Sequence, residues 1–159
     1  MNTVTRSVKH AQFTIEREVP VAPSVAFQAF ADPAIKSRWF GGEEGWEQGE
    51  VSLDFRVGGQ EVNEGTFEGK MTSRFVATYT DIVDDERLVY TYDMWINGDH
   101  ISTSVATWEF EPTSTGTKLT LVEFGAHLDG FDTGAQREEG TRELVENLAR
   151  YLATAAQVQ

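Results

Sequence analysis

The chain predicts an α+β fold: a curved antiparallel sheet of six to seven strands wrapped around one long C-terminal helix, with two short helices after the first strand. Three observations carry this expectation. Residues 133–156 read as a single amphipathic helix. Nearly everything from 51 to 125 alternates as strand and turn. Two proline-initiated helical starts separate the first strand from that region. A helix of this length needs a broad apolar surface to cover, and the sheet is the one candidate. A sheet bent around a helix can enclose an apolar hollow, so the pattern anticipates a ligand chamber.

The elements follow in order. Phe13–Val19 alternates, with Phe13, Ile15, Arg17 and Val19 on one face, and Pro20 closes the strand. Residues 1–12 read as a flexible N-terminal tail before a single domain over 13–157. Pro23 suits the first turn of a helix whose apolar side is Val25, Ala26, Phe27 and Phe30. Asp32 can cap a second short helix with Pro33 at its first position; this helix carries Ile35, Trp39 and Phe40, and Gly41-Gly42 ends it. Residues 45–49 read as loop, and Val51–Val57 as a strand with Val51, Leu53, Phe55 and Val57 on one face. Gly58-Gly59 turns the chain into a short strand ending near Phe67. Lys70–Ile82, Arg87–Trp95, His100–Glu111 and Lys118–Gly125 complete the sheet, with Asn97-Gly98 the strongest hairpin signal.

Thr133 and Gln136 match a capping box at the start of the long helix. Leu144, Val145, Leu148, Tyr151, Leu152 and Ala155 form its apolar stripe. Glu138–Arg142 and Glu146–Arg150 are spaced as ion pairs for the wet face. Extending the stripe backwards gives Gly140 and Thr141. Small residues there either leave room between helix and sheet or allow close packing.

Composition narrows the function classes. A net charge of −13 argues against nucleic acid, which demands clustered Lys and Arg, and against anionic membrane surfaces. There is no Cys, so disulfides and thiolate chemistry are excluded. No apolar run approaches membrane-span length, and the N-terminus lacks a signal-peptide core, so a cytoplasmic location is expected. The familiar nucleophile-elbow, zinc-helix and phosphate- or dinucleotide-binding motifs do not occur, and no cofactor is expected. Asp129 and Asp132 lack the oxygen-ligand spacing of a calcium loop, so no metal is expected.

Two residues qualify as catalytic candidates, Glu123 and His127. Glu123 shares the parity of Leu119 and Leu121, so it faces inward if they do. A carboxylate in an apolar chamber needs a partner or a raised pKa, and Arg74, Arg56 or a Tyr hydroxyl can supply the partner. His127 lies on the same face, but about 13 Å away at ~3.3 Å per residue, unless a bulge at Gly125 brings the two together. The expected ligand-lining set is Trp39, Phe75, Tyr90, Tyr92, Trp108, Glu123, Thr141, Leu144 and Leu148. Rings of this kind suit a flat or aromatic molecule.

Several segments resemble one known family: FADPAIKSRWF at 30–40, FRVGGQEVNEGTFEG at 55–69, ATYTDIVDDERLVYTYDM at 77–94, STSVATWEFEP at 102–112, GTKLTLVEFGAHLDGFD at 116–132 and REEGTRELVENL at 137–148. Together they resemble the START-like (SRPBCC, helix-grip) superfamily, and more closely the bacterial homologues of the heat-shock chaperone ATPase activator. The resemblance implies a helix-grip fold that holds an apolar molecule between sheet and helix. One departure is visible. The family pattern Thr-Glu-Gln-Gly stands here as Val122-Glu123-Phe124-Gly125.

Three functions compete. The first is binding of a small apolar or aromatic molecule in the cavity. The second is an enzyme of the cyclase, dehydratase or hydrolase type using Glu123. The third is a chaperone-interacting protein, as the family name suggests. The partner expected is a small hydrophobic or aromatic ligand, and an exposed sheet edge is compatible with a homodimer.

Overall fold

The computed structural model describes residues 5–157, so residues 1–4 of the expected tail lie outside the described residues. Seven strands and three helices follow one another as β1 (Val8–Val19), α1 (Pro23–Ala31), α2 (Pro33–Lys36), β2 (Trp46–Leu53), β3 (Gln60–Phe67), β4 (Met71–Val83), β5 (Arg87–Ile96), β6 (Asp99–Pro112), β7 (Thr117–Leu128) and α3 (Gly134–Gln157). All seven strands form one open, curved antiparallel sheet in the order β1-β7-β6-β5-β4-β3-β2. Every neighbouring pair except β1 with β7 is consecutive in sequence, so short hairpins build the sheet and one long crossover closes it. The helix-grip arrangement is therefore the observed one.

The core lies between the concave face and the helices. Phe13, Ile15, Tyr79, Leu88, Trp108, Phe110, Leu119 and Leu121 point inward from the strands and meet Phe27 and Phe30 of α1 and Val145, Leu148 and Leu152 of α3. Phe30 sits edge-on to Trp39, Trp108 and Phe110 at ring separations of 5.0, 4.8 and 5.5 Å, the geometry favoured by aromatic quadrupoles. α3 is capped as expected: the Thr133 hydroxyl accepts from the Gln136 amide, and the Gln136 side chain accepts from the Thr133 amide, each at 3.0 Å. The α3 start sits close on β1, because a Cβ on Gly134 would stand 2.3 Å from the Ala11 Cβ.

Several boundaries differ from the sequence reading. β1 begins at Val8, so residues 8–12 are strand paired with 124–128 and not tail. β2 begins at Trp46, inside the stretch read as loop, and ends at Leu53. Val51 and Val57 are exposed, and the 54–59 segment is a connection whose Gly58 amide and Gly59 carbonyl bond to Tyr79 of β4. The second helix stops at Lys36, leaving Trp39 and Phe40 in the turn that follows. Glu146 is taken by Arg17 of β1 at 2.9 Å, not by Arg150, whereas the Glu138–Arg142 pair forms at 2.8 Å. At Glu146 the long-range partner replaces the local one, which an exposed i,i+4 pair worth only roughly a few tenths of a kcal/mol does not prevent.

Candidate functional site

Cross-strand register builds the site. One row across the concave face reads Tyr79, Tyr90, Ala106, Glu123 and Phe13; the next reads Glu61, Ala77, Tyr92, Ser104 and Gly125; a third reads Phe75, Met94, Ser102 and His127. Ala77, Ser104, Ala106 and Gly125 are small and occupy the middle of the sheet. α3 crosses above with Gly140 and Thr141, and a Cβ on Gly140 would meet nothing within 4 Å. Gly140, which is exposed, and Thr141, which is half-buried, both line the space beneath the early helix. Between the two layers lies a cavity of about 410 Å³, walled by Phe40, Trp46, Phe75, Tyr90, Tyr92 and Trp108. It reaches the surface between the exposed Gly41–Glu43 loop and α3, where Asn147 donates to Glu43 at 2.8 Å.

One end of the cavity is polar. Glu123 is 4% exposed and lines the space. Its Oε1 accepts a short hydrogen bond from the Tyr92 hydroxyl. Arg137, from the first turns of α3, donates to the Tyr92 oxygen at 3.0 Å, to the Ser102 hydroxyl at 2.7 Å and to Asp132 at 2.8 Å. Its nearest nitrogen stands 3.9 Å from Glu123 Oε1, an electrostatic contact and not a hydrogen bond. His127 is also 4% exposed, and its Nδ1 lies 3.6 Å from Asp132 with no hydrogen-bond partner among the described residues.

Burial sets the protonation behaviour. It pushes the Glu123 carboxyl above the ordinary carboxylate value, with the Tyr92 hydrogen bond and the Arg137 charge pulling the other way. It also lifts the Tyr92 hydroxyl, reinforced by the Glu123 charge. His127 is held below the usual imidazole value by burial first and by Arg137 second. The result is a donor chain, Arg137 to Tyr92 to Glu123, ending on a buried carboxyl. Tyr90 accepts from the Trp108 indole at 3.1 Å, and its own O–H has no acceptor among the described residues.

Of the nine expected lining residues, Phe75, Tyr90, Tyr92, Trp108, Glu123, Thr141 and Leu144 surround this cavity. Trp39 and Leu148 do not; Trp39 is wedged against Phe30 with its indole bonded to the Ala29 carbonyl at 2.9 Å, and Leu148 is fully enclosed in the core. No bulge occurs at Gly125, because the β7 register runs unbroken against both neighbours. Glu123 and His127 therefore stay four residues apart, and only Arg137 and Asp132 connect them. Arg74 and Arg56, candidate partners for Glu123, pair instead with Glu50 and Glu64, and with Asp54. Asp129 accepts from the Ser7 amide and Arg6, and no metal-binding group of His or carboxylates occurs among the described residues. Phe124 faces the outer surface, away from the cavity, and is 51% exposed.

The sequence reading missed Arg137, Asp132 and Ser102. A signal for Arg137 existed: it stands one helical turn before Thr141 on the same stripe, so extending that stripe one step further reaches it. It also missed a second buried polar group beside the cavity. Lys36 bonds Glu61 at 2.5 Å, Tyr79 bonds Glu61 at 2.6 Å, and the ammonium lies 4.7 Å from the Phe40 ring centre. This group ties α2 to β3 and β4 and so fixes Phe40 at the cavity wall.

Comparison with known proteins agrees with this architecture. Two solved structures are similar over nearly the whole chain. An uncharacterized protein from Rhizobium leguminosarum is 34% identical, covering 93% of this chain and 97% of its own, with a TM-score of 0.88. A protein from Rhizobium loti is 46% identical, covering 92% and 99%, with a TM-score of 0.85. An AHSA1-like protein from Aeromonas hydrophila, at 20% identity and a TM-score of 0.69, shares the fold, covering 91% of this chain and 94% of its own. No curated protein matches the chain. No helix among the described residues is long and apolar enough to cross a membrane. The family described as Activator of Hsp90 ATPase homolog 1-like protein matches residues 20–155, and the chain belongs to that family, within the START-like superfamily.

Proposed function

We propose that the protein binds a small, flat, largely apolar or aromatic molecule in the cavity between sheet and α3. The carrying observation is the 410 Å³ space itself, walled by six aromatic rings, with Tyr92, Glu123 and Arg137 converging at one end and Glu47, Gln48, Asn63, Glu64 and Ser73 lining it elsewhere. Aromatic walls with convergent polar groups suit small-molecule recognition. Phe75, Tyr90, Tyr92, Trp108, Thr141 and Leu144 would contact the molecule, and Glu123 would orient it. Native mass spectrometry of the purified chain tests this. A co-purifying small molecule is expected, and Gly140→Leu, which puts a bulky side chain on the helix wall of the cavity, should abolish it. Retention of the same molecule by a folded Gly140→Leu variant would refute the reading.

A second reading is favoured by one observation, the raised Glu123 carboxyl at the end of the Arg137–Tyr92 chain. Such a group can move a proton on a bound substrate, as a cyclase, dehydratase or hydrolase requires. Turnover lost in Glu123→Gln with ligand affinity kept would support it.

A further inference from the structure

The polar end of the cavity restricts the charge of what can bind there; this inference rests on the small-molecule reading above. Arg137 is the one basic side chain among the described residues that line the cavity. Three of its five N–H donors are committed to Tyr92, Ser102 and Asp132, and its charge already faces Asp132 and Glu123. A carboxylate or phosphate on the ligand would bury a third negative charge beside Asp132 and Glu123, with Arg137 as the one facing cation. Arg137 is thus a scaffold for the acidic end and not an anion receptor.

Glu123 presents the opposite case. It is 4% exposed, and its Oε1 is occupied by Tyr92. Its Oε2 has no hydrogen-bond partner among the described residues, although the side chain lines the cavity. Oε2 is not one of the fully enclosed atoms left without a partner, so it opens onto the cavity, and a donor that also carries positive charge satisfies it best there. The surroundings favour such a donor. Asp132 lies at the same end, Glu43, Glu143 and the Tyr90 ring also line the space, and the Arg137 guanidinium already sits 5.7 Å from the Tyr92 ring centre. Aromatic faces attract cations, most strongly where water is excluded.

We propose that the ligand is an amine: an apolar or aromatic body bearing a protonated nitrogen, seated with its N–H groups on Glu123 Oε2 and its ring among Phe75, Tyr90 and Trp108. Three probes of one shape test this, 2-naphthylmethylamine, 2-naphthylmethanol and 2-naphthoate, titrated calorimetrically at pH 7 into the full chain, Glu123→Gln and Gly140→Leu. The amine is expected to bind at least tenfold tighter than the alcohol, with the acid weakest. Glu123→Gln should remove the amine's advantage, bringing its affinity to the level of the alcohol measured on the same variant. Equal binding of all three probes, lost in Gly140→Leu, keeps the cavity reading and overturns the charge assignment. An amine preference that survives Glu123→Gln, or tighter binding of the acid, also overturns it. Amine binding undisturbed by Gly140→Leu places the probe on the acidic surface, and binding of none of the three leaves no occupied cavity; either result removes both proposals.

Discussion

Replacing Arg137 by Met tests the construction of the polar end most directly. The guanidinium makes three hydrogen bonds, to Tyr92, Ser102 and Asp132, between 2.7 and 3.0 Å, and its side chain is 11% exposed. Met keeps the unbranched stem but removes every donor. Asp132 and Glu123 are then left as enclosed carboxylates without a counter-charge. Breaking a buried pair by removing one partner costs about 3–5 kcal/mol. Some packing is retained and Asp132 is 13% exposed, so the lower end, about 3 kcal/mol, is expected. For a chain of this size that corresponds to a fall in Tm of roughly 6–12 °C. Urea denaturation followed by tryptophan fluorescence measures the loss, and a double-mutant cycle with Asp132→Asn measures the coupling, expected at about 1 kcal/mol or more. The penalty should shrink as pH falls towards 4, because the Glu123 carboxyl, already raised by burial, then takes up a proton. A loss below about 1 kcal/mol, or strict additivity in the cycle, would refute the view that Arg137 organises this end.

Four further outcomes follow from the same geometry. Glu123→Gln removes a carboxyl whose folded value is raised by burial; the wild-type stability tied to that group is full below the unfolded carboxylate value and is lost as pH climbs through the raised one. The variant should therefore gain on the wild type between pH 4 and pH 8 in urea titrations, and the reverse trend would show Arg137 outweighing burial. Gly140→Ala should raise stability by about 1 kcal/mol, since the helix gains propensity and the new methyl meets nothing within 4 Å, so a lowered Tm would contradict the open space seen there. Lys36→Met strands Glu61, a partner with 5% side-chain exposure, and should cost about 3–5 kcal/mol by chemical denaturation, with about half restored in Lys36→Met/Glu61→Gln. Gly134→Ala should cost about 1–3 kcal/mol by pressing on Ala11, and Ala11→Gly should rescue it; no rescue would mean that α3 is not held against β1 at that point.

The order of elements, the long capped helix and the inward parity of Phe75, Tyr90, Tyr92, Trp108 and Glu123 were all legible in the chain. Each depends on local periodicity or on a capping pair within a few residues. The boundaries around β2 were not, because the Tyr79 backbone and a bulge after Gln48, both set by partners, decide where pairing stops.

The polar end lay beyond the sequence for a related reason. Tyr92, Ser102, Glu123 and Asp132 stand on three strands and a loop, and Arg137 comes from the helix. Their meeting depends on strand register and on the path of α3 across the sheet. Backbone hydrogen bonds fix register without regard to residue identity, so no spacing along the chain records which side chains end up opposite one another. The Lys36–Glu61–Tyr79 group is hidden for the same cause. Local periodicity determined which way each side chain points; only tertiary packing decided that a guanidinium and a phenol would converge on one buried carboxylate.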